Sequence, residues 1–512
     1  MKRLGLVPSR SFDFRRLVLH HVLDGDTDIQ TRYFSFLPED RLKLTEGVHI
    51  SRRGERVLVV EPVSAKWTIL AAPKKLLQSL KEGVLLGDFF RGAGPEERGR
   101  REIMETLYSR GMLSVNGFRQ KCRGPIPYPE KYPMFFSLHM AEGCNFNCNY
   151  CYMDAALQGQ KMSAETARLI IKRIARDLPI KEFTLEFHGG EPLLNFSVIR
   201  ETMEFALHEA KRYFKRVDFS MQTNGSLIKD EVLTQIKGFP FSLGVSLDGP
   251  EMIHNRNRIF PNGKGTFRSV MKGLDLARAA GLDPGVIVVV DDPTTYIETC
   301  KFLFSKGVTK FRLNPMACQG RAGTTKEFDA KRPAKFVEEY LKLIDFLVSY
   351  KQENPEVFVD IWNINIYILH LMTPYRPFMC ARSPCGAGNA IMGFSHEGDV
   401  YPCDEFVGRP EFRLGNIRDP GVSLAALIEE HPLCAKLQNR TIETLPKCKA
   451  CPWRNFCGGG CAAKANDHRG DAWREDPMCE FFSGFYEELA WKIWDDRRLL
   501  DLLGQYRRYV SS

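Results

Sequence analysis

The stretch Cys144-Asn145-Phe146-Asn147-Cys148-Asn149-Tyr150-Cys151 carries three cysteines in the order Cys-x3-Cys-x2-Cys, just after the apolar run Phe135–Met140. Cubane iron–sulfur clusters are normally held by four cysteines, so three thiolates would hold three irons and leave the fourth open to a non-protein ligand. A zinc knuckle and three core cysteines are the alternatives. Zinc needs four ligands in two close pairs, and the neighbouring sequence offers no such fourth ligand. We therefore expect an iron–sulfur loop with one open iron.

The overall composition limits the classes of protein to consider. A chain of 512 residues predicts two to four domains, and 44% hydrophobic with 26% charged residues is typical of a soluble globular protein. We find no signal peptide and no apolar run of membrane-spanning length, so we expect a cytoplasmic protein with no membrane partner. The net charge of +9 is spread along the chain, which argues against nucleic-acid binding. In a cytoplasmic protein, fifteen cysteines favour metal ligation over disulfides.

Residues 1–122 are predicted to form an N-terminal domain, which is irregular up to about residue 45. Strands are expected at residues 49–51 and 56–60, around the turn Arg53-Gly54. Pro73 begins a helical pattern, and a second helix carries Ile103, Leu107 and Met112. A stiff proline-rich linker, Arg123–Pro129, follows. This hairpin followed by helices resembles a small winged-helix domain that binds leader segments of ribosomally made peptides; an ordinary packing domain is the alternative.

Strand and helix patterns alternate through residues 134–318. Six strands are predicted, each followed by a helical pattern such as Ala164–Asp177, and together they imply a parallel sheet wrapped by helices. The strands are Phe135–Met140, Phe183–Phe187, Val217–Met221, Phe241–Leu247, Gly285–Val290 and Lys310–Leu313. In such α/β sheets, sites form at the carboxyl ends of the strands, which is where the cysteine loop follows the first strand. A bridge at 319–378, a cysteine-rich domain at 379–480 and a C-terminal helix within 481–512 complete the organisation.

The cysteine loop, with an aromatic residue before its last cysteine, resembles the signature loop of radical S-adenosylmethionine (radical SAM) enzymes. That resemblance implies a partial (β/α)6 barrel in which Cys144, Cys148 and Cys151 hold a [4Fe–4S] cluster. It also implies that the open iron chelates the amino and carboxylate groups of SAM. An electron from the cluster then releases a 5′-deoxyadenosyl radical.

Further motifs at the strand ends match the same family. The second strand ends in His188-Gly189-Gly190-Glu191-Pro192, where the glycines let the backbone approach a ligand and Glu191 can accept a hydrogen bond from an ammonium group. By resemblance, Gly189, Gly190, Glu191 and Pro192 bind the SAM amino group. We expect His188 to be a satisfied buried histidine, with a catalytic role as the alternative.

The third and fourth strands end in Gln222-Thr223-Asn224-Gly225 and Ser246-Leu247-Asp248-Gly249-Pro250. The resemblance implies that Asn224 and Tyr150 contribute to the cofactor site and that Ser246 and Arg258 hold the SAM carboxylate. A guanidinium pairs with a carboxylate through two hydrogen bonds, which is the physical basis for that role.

A second cysteine array fills the last third of the chain. Cys385 and Cys403 form Cys-x12-Gly-x4-Cys, followed by Cys448-x2-Cys451-x5-Cys457-x3-Cys461 and finally Cys479. A zinc ribbon could use two Cys-x2-Cys pairs, but it would need neither the Gly-x4-Cys element nor seven cysteines. The spacing resembles the SPASM extension of radical SAM proteins, which binds two auxiliary [4Fe–4S] clusters and would bring the total to three.

The resemblance also implies a ligand set for each auxiliary cluster. Cys448, Cys451, Cys457 and Cys479 would hold the distal cluster, and Cys385, Cys403 and Cys461 the proximal one. Cys380 is either the fourth proximal ligand or points away, which would leave an iron free for a substrate thiolate. Buried, unreactive thiols are expected for Cys122, Cys300, Cys318 and Cys434, although Cys318 follows the sixth strand and could face the site.

Asp404, directly after Cys403, is the candidate catalytic residue. Aspartate at this position resembles anaerobic sulfatase-maturing enzymes, in which it is the base that deprotonates the target residue. The alternative is a structural acid paired with Arg409 or Arg413.

Three functions remain open at this point. The first is a maturase that crosslinks a ribosomal peptide, by a thioether or carbon–carbon bond, with the N-terminal domain binding the leader. The second is a sulfatase-type maturase that oxidises Cys or Ser to formylglycine. Either would need a low-potential electron donor such as flavodoxin or ferredoxin. The third is a non-enzymatic iron–sulfur electron carrier, which would have no use for a SAM pocket.

Overall fold

The computed structural model describes residues 37–122, 124–125, 131–317, 319–325 and 332–510. These residues form two compact units, divided between residues 126 and 127. Residues 1–36, most of the predicted linker and Cys318 lie outside the described residues, so the predictions made for them are not addressed.

The N-terminal unit contains two small antiparallel sheets and three helices. One sheet has the order β5-β1-β6-β7 and the other is the meander β2-β3-β4. The strands are β1 (Arg41–Leu44), β2 (His49–Arg53), β3 (Arg56–Glu61), β4 (Lys66–Ala71), β5 (Val84–Leu85), β6 (Leu113–Val115) and β7 (Phe118–Arg119), and the helices are α1 (Lys74–Glu82), α2 (Leu86–Phe90) and α3 (Glu97–Ser109). The predicted hairpin and both predicted helices are present, but α3 ends at Ser109, so the predicted helical position Met112 lies beyond it. The prediction that residues up to about 45 are irregular is wrong at β1.

The C-terminal unit is built on one ten-stranded sheet with the order β14-β13-β12-β11-β10-β9-β8-β15-β16-β17. The strands are β8 (Phe135–Ala141), β9 (Glu182–Gly189), β10 (Arg216–Thr223), β11 (Phe241–Ser246), β12 (Gly285–Val290), β13 (Lys310–Pro315), β14 (Asp360–Ile361), β15 (Ile391–Phe394), β16 (Asp399–Tyr401) and β17 (Gly415–Asn416). Strands β8 to β14 are parallel in chain order, and β15 pairs in parallel with the other side of β8. The hairpin β15–β16 and strand β17 continue the sheet antiparallel. All six predicted strands are confirmed.

Helices connect the successive parallel strands β8 to β14, as expected for a partial barrel, and further helices follow β14 in the chain. They are α4 (Ala164–Asp177), α5 (Phe196–Arg212), α6 (Asp230–Ile236), α7 (Glu251–Asn257), α8 (Phe267–Ala279), α9 (Tyr296–Ser305), α10 (Arg321–Thr325), α11 (Arg332–Glu353), α12 (Trp362–Met372), α13 (Leu424–Glu430), α14 (Pro432–Gln438), α15 (Pro446–Lys449), α16 (Arg454–Cys457), α17 (Ala462–Arg469) and α18 (Cys479–Asp495). Helix α4 shows how the sequence sets these boundaries. Ser163 caps it by accepting the Thr166 N–H at 3.0 Å, and Ile170, Ile171 and Ile174 bury one face.

The C-terminal helix is shorter than predicted. Its pattern predicts a helix from Glu480 to Leu503, but α18 ends at Asp495 and a 3₁₀ segment covers Arg497–Tyr509. Asp496 has an extended backbone, and its carboxylate accepts the Arg498 N–H at 3.0 Å, so it caps a new segment instead of continuing the old one. No helix in the described ranges has the length and apolar character that crossing a bilayer requires.

Phenylalanines on neighbouring strands hold the barrel together. Phe187 on β9 is fully buried, and its ring stacks on Phe219 of β10 with 6.2 Å between centroids. We predict that Phe187→Ala lowers the free energy of unfolding by about 3–5 kcal/mol, because it removes buried surface and leaves a cavity. The matched control, Phe214→Ala, alters a ring that is 95% exposed and should cost under about 0.5 kcal/mol in the same urea titration. Equal costs for the two variants would contradict this packing.

Candidate active site

The Cys144–Cys151 loop leaves the carboxyl end of β8 and is anchored by backbone hydrogen bonds. The Asn147 N–H donates to the Ile259 carbonyl at 2.8 Å, and the Asn149 N–H to the Asn257 carbonyl at 3.0 Å. Arg321, on α10, donates to the Cys148 carbonyl at 2.9 Å. The loop is therefore held from the β11–β12 connection and from the segment after β13, so its three sulfurs are displayed on a fixed frame.

The Gly189-Gly190-Glu191 segment packs directly against the backbone that leads into this loop. The Gly190 N–H donates to the Ala141 carbonyl at 2.8 Å, and the Glu191 N–H to the Gly143 carbonyl at 3.0 Å. A Cβ on Gly190 would lie 2.2 Å from the Gly143 oxygen, far inside van der Waals contact. Glycine is required here because two strand ends meet backbone to backbone.

Glu191 is fully buried and joins three strand ends. Its carboxylate accepts the Thr223 hydroxyl at 2.7 Å, the Asn224 N–H at 2.8 Å and the Leu193 N–H at 3.0 Å. Burial raises the pKa of Glu191 to about 7, although these three donors favour its ionised form. Pro192 begins the short 3₁₀ turn that follows. The observed contacts make Glu191 a support for the β9 and β10 tips, and its contact with SAM stays a prediction.

Asn224 lies beside the cysteine loop. Its amide donates to Asn145 Oδ1 at 2.8 Å and lies 3.8 Å from the Cys144 sulfur. The Cys144 sulfur also accepts the Phe146 N–H at 3.4 Å. Hydrogen bonds of this kind to ligand sulfurs adjust the reduction potential of iron–sulfur clusters.

The predicted carboxylate-binding pair has unexpected partners. Arg258 forms a buried two-point ion pair with Asp248, at 2.9 Å from Nε to Oδ2 and 3.2 Å from Nη2 to Oδ1. Tyr150 donates its hydroxyl to the same carboxylate, and the Arg258 guanidinium lies 5.3 Å from the centre of the Tyr150 ring. Ser246 accepts a hydrogen bond from Gln222 at 3.0 Å. Asp248 thus contacts both Tyr150 and Arg258 on the predicted SAM side of the loop.

The cysteines fall into three sets whose members are close enough for their charges to affect one another. Cys144, Cys148 and Cys151 form the first set; Cys380, Cys385, Cys403 and Cys461 the second; and Cys448, Cys451, Cys457 and Cys479 the third. None of these cysteines is in a disulfide. Cys434, in contrast, is buried with no such neighbour among the described cysteines.

The spacing within these sets fits clusters better than single zinc ions. Across the described ranges, the one group of three or more His, Cys, Asp or Glu ligand atoms that all lie within 4.8 Å of one another contains no cysteine. The sulfurs of a tetrahedral zinc site lie about 3.8 Å apart, given Zn–S bonds of about 2.3 Å. Burial also raises the pKa of the Cys144 thiol to about 12 and that of Cys148 to about 11. Buried thiols become thiolates when they bind metal. The three cysteine sets therefore suit iron–sulfur clusters.

Asp404 follows Cys403 and faces the barrel interior. Its Oδ1 accepts the Ser137 hydroxyl at 2.5 Å and lies 2.8 Å from His139 Nε2, while its Oδ2 accepts the Tyr152 hydroxyl at 3.2 Å. Burial disfavours its charge, but His188, His139 and Ser137 together hold the pKa of Asp404 well below its ordinary value.

The alternative that Asp404 pairs with a nearby arginine is wrong. Arg409 forms its ion pair with Asp467, at 2.5 Å, and Arg413 forms one with Asp399, at 2.6 Å. The partners that Asp404 does have, Ser137 and His139, lie on β8 more than 260 residues away in sequence. Sequence reasoning missed both; two polar side chains within the apolar run of β8 were the available signal.

A cavity of about 670 Å³ is lined from both the barrel and the cysteine-rich region. His139 and Tyr152 line the barrel side, and Ser395, Val407 and Arg409 the other. This volume is in the range of sites that hold small molecules or side chains. Because His139 and Tyr152 also contact Asp404, the cavity reaches the hydrogen-bond partners of this carboxylate.

Comparison with known families agrees with this geometry. The radical SAM superfamily model matches residues 138–302, and the SPASM iron–sulfur cluster-binding domain model matches residues 385–452. The chain is a radical SAM enzyme with a SPASM domain. These domains imply iron–sulfur clusters and SAM as cofactors, and the hypothesis of a non-enzymatic electron carrier is wrong.

Several named proteins are similar to this radical SAM enzyme over most of their length. A cysteine-type anaerobic sulfatase-maturating enzyme of Clostridium novyi is 25% identical over 366 residues, which is 69% of this chain and 94% of the relative. The serine-type enzyme of Bacteroides thetaiotaomicron is 25% identical over 67% of this chain and 85% of its own. An uncharacterized protein of Archaeoglobus fulgidus is 28% identical over 78% of this chain and 88% of its own.

Solved structures share the fold. Native anSMEcpe with bound AdoMet superposes with a TM-score of 0.61 at 22% identity, over 71% of this chain and 99% of that one. Streptococcus suis SuiB bound to its precursor peptide SuiA superposes with a TM-score of 0.50 at 14% identity, over 86% of this chain and 99% of that one. The SuiB match is longer than the C-terminal unit and therefore extends into the N-terminal unit.

We predict that Gly190→Ala in this enzyme abolishes SAM cleavage, because the added methyl group must displace the Gly143 carbonyl and with it the cysteine loop. The control is Gly285→Ala at the start of β12, where a Cβ meets nothing within 4 Å. Formation of 5′-deoxyadenosine in the reduced, reconstituted proteins is the measurement. Equal yields from both variants would contradict the proposed need for close backbone approach.

Proposed function

We propose that this enzyme is a maturase that oxidises a side chain of a protein or ribosomally made peptide, in the manner of sulfatase-type maturases acting on Cys or Ser. When bound, SAM and its cluster would supply a radical that abstracts a hydrogen from the substrate. The auxiliary clusters would accept the electron that then leaves the substrate. The observation that carries the proposal is Asp404, held by Ser137, His139 and Tyr152 beside a cavity that spans both domains.

The first cysteine set would hold the SAM-binding cluster, with one iron open to SAM. Gly189, Gly190, Glu191, Pro192, Asn224 and Ser246 lie at the strand ends around it and would form the cofactor site. Arg258 and Tyr150 would shape that site through Asp248, to which both bind. We assign Arg258 mainly to positioning, because its Nε and Nη2 are already paired.

Full ligation of the proximal auxiliary cluster favours oxidation over sulfur transfer. Cys380 lies with Cys385, Cys403 and Cys461, and the half-buried cations Arg312 and Lys464 are also near it. Four cysteines would fill all four irons and leave none for a substrate thiolate. Asp404 would then take the proton from the substrate side chain, as a carboxylate held ionised at the cavity can do.

Crosslinking of a ribosomal peptide is the second candidate. The N-terminal unit favours it, since the sulfatase-type relatives match only about two thirds of this chain while the SuiB match extends into that unit. SuiB is bound to its precursor peptide SuiA in that structure. The N-terminal unit of this enzyme would bind a leader segment of its substrate. Under either candidate we propose a cytoplasmic enzyme that takes electrons from a flavodoxin or ferredoxin.

Iron content tests the cofactor assignment. We predict about twelve irons per chain after anaerobic reconstitution, because three [4Fe–4S] clusters are expected. Replacing Cys144, Cys148 and Cys151 by alanine should remove about four irons and abolish 5′-deoxyadenosine formation. Cys380→Ala should alter the spectrum of an auxiliary cluster, whereas Cys434→Ala, at a buried cysteine outside all three sets, should change neither iron nor spectrum. About four irons in the native protein would refute the auxiliary clusters.

Asp404→Asn tests the proposed chemistry. Asparagine keeps the shape but cannot accept the proton, so we predict that substrate oxidation is lost while uncoupled SAM cleavage continues. The control, Asp399→Asn, alters a carboxylate paired with Arg413 and should retain activity. Cysteine and serine peptides, and any short peptide encoded beside the gene, would be assayed by mass spectrometry and an aldehyde-reactive probe.

The product separates the two candidates. An aldehyde supports the sulfatase-type reaction, and a crosslinked peptide that the probe does not label supports the second candidate. Full oxidation by the Asp404→Asn variant would exclude Asp404 as the base.

A further inference from the structure

Two histidines and one carboxylate converge beside the cavity, and one of them, His139, lines its wall. The ligand atoms of His139, His188 and Asp404 all lie within 4.8 Å of one another. His139 comes from β8, His188 from the end of β9 and Asp404 from the turn after β16, so the group is fixed by three elements of one sheet. The two imidazole rings lie 5.6 Å apart between centroids and are inclined by 30°.

We propose that these three side chains bind one divalent transition-metal ion, separate from the iron–sulfur clusters. Two imidazoles and one carboxylate form the donor set of catalytic zinc and of non-haem iron(II) sites, which keep at least one position open for a ligand. No thiolate belongs to the group, so the ion it selects is one that accepts nitrogen and oxygen donors.

Neighbouring groups provide the support that metal ligands need. Ser137 donates to Asp404 Oδ1 at 2.5 Å and Tyr152 to Oδ2 at 3.2 Å, which fixes the carboxylate. Bonds of this kind orient metal ligands and raise their affinity. A hydrogen-bonded network alone accounts for His139 but poorly for His188. The contact of His188 Nδ1 with the Tyr152 hydroxyl is 3.5 Å, the outer limit of a hydrogen bond.

The position of the group indicates what a bound ion would do. His139 and Tyr152 line the cavity, so an open coordination position would face the space that a substrate occupies. This step rests on the proposed function: a Cys or Ser side chain entering the cavity would bind the ion through its sulfur or oxygen, and its proton would pass to Asp404, the base proposed above. Coordination to a cation lowers the pKa of the bound group, which would make that transfer easier.

Zinc binding by the cluster-loaded protein tests the site without a substrate. We expect dialysis against Zn²⁺ to load about one zinc per chain. The amounts of cluster iron and sulfide should not change and should stay equal to each other. X-ray absorption should show imidazole nitrogen and oxygen at about 2.0–2.1 Å and no sulfur at about 2.3 Å. Before dialysis, the protein could contain more iron than sulfide. If zinc then replaced that extra iron, the result would also support the site, because iron(II) takes the same ligands.

Conservative variants separate a metal site from a hydrogen-bonded network. His139→Gln keeps a donor that can reach Asp404, and His188→Gln keeps a polar group, but each removes an imidazole ligand. We expect each to weaken zinc affinity at least tenfold, by analogy with the loss of ligand support in metal sites. His396→Gln, which alters a histidine in the same cavity wall outside the group, should bind zinc normally.

Three results would overturn the proposal: no zinc beyond the clusters, zinc with sulfur ligands, or unchanged affinity in both glutamine variants. None of them bears on the maturase assignment, because SAM cleavage and peptide oxidation are measured separately. Loss of peptide oxidation with zinc binding intact would count against the proposed function alone.

Discussion

Backbone contact between Gly189–Glu191 and Ala141–Gly143 sets the position of the cysteine loop. Two amide hydrogen bonds join the ends of β8 and β9, and a side chain on Gly190 would push the loop away. Glu191, one residue further, binds the end of β10 through Thr223 and Asn224. Three neighbouring strand ends are thereby fixed relative to the first cysteine. Every assignment at the cofactor site depends on this local geometry, since cluster and SAM must meet at one open iron.

A second constraint brings the cysteine-rich region to the barrel. Strand β15 pairs in parallel with β8, and Gly393 lies opposite Ser137 in the register. Gly393 also packs against the Cys403 carbonyl, where a Cβ would lie 2.9 Å from the oxygen. Asp404 therefore reaches Ser137 and His139 because of strand pairing, and not because of any local motif. The same pairing forms the cavity between the two regions.

The sequence predicted the barrel well and grouped the cysteines as they are grouped in the fold, and cluster binding by each group stays a prediction. Strands of six to eight residues and long amphipathic helices leave a clear periodic pattern, and cysteine spacing is preserved whatever the surrounding fold. Strands β5, β7, β14 and β17 have only two residues each and leave no such pattern. The end of α18 was missed because Asp496 caps a new segment, which periodicity does not reveal.

The contacts of the site were harder to predict than its members. Cysteine spacing left the position of Cys380 open, and the fold places it with Cys385 and Cys403. The sequence offered Asp404 as the candidate catalytic residue, and its contact with His139 depends on a strand pairing between distant parts of the chain. The ion pair of Arg258 with Asp248 was not predicted, and the role of Arg258 at the SAM carboxylate stays a prediction.

The central position of β8 in the sheet limits where the enzyme can be truncated. With β9 on one side and β15 on the other, neither edge of β8 is free. A truncation before β15 would uncover the main-chain donors and acceptors of an apolar strand, and exposed edges of that kind promote aggregation. Deletion of the SPASM region would therefore be expected to make the barrel prone to aggregation. Truncated forms for biochemistry should end elsewhere in the chain.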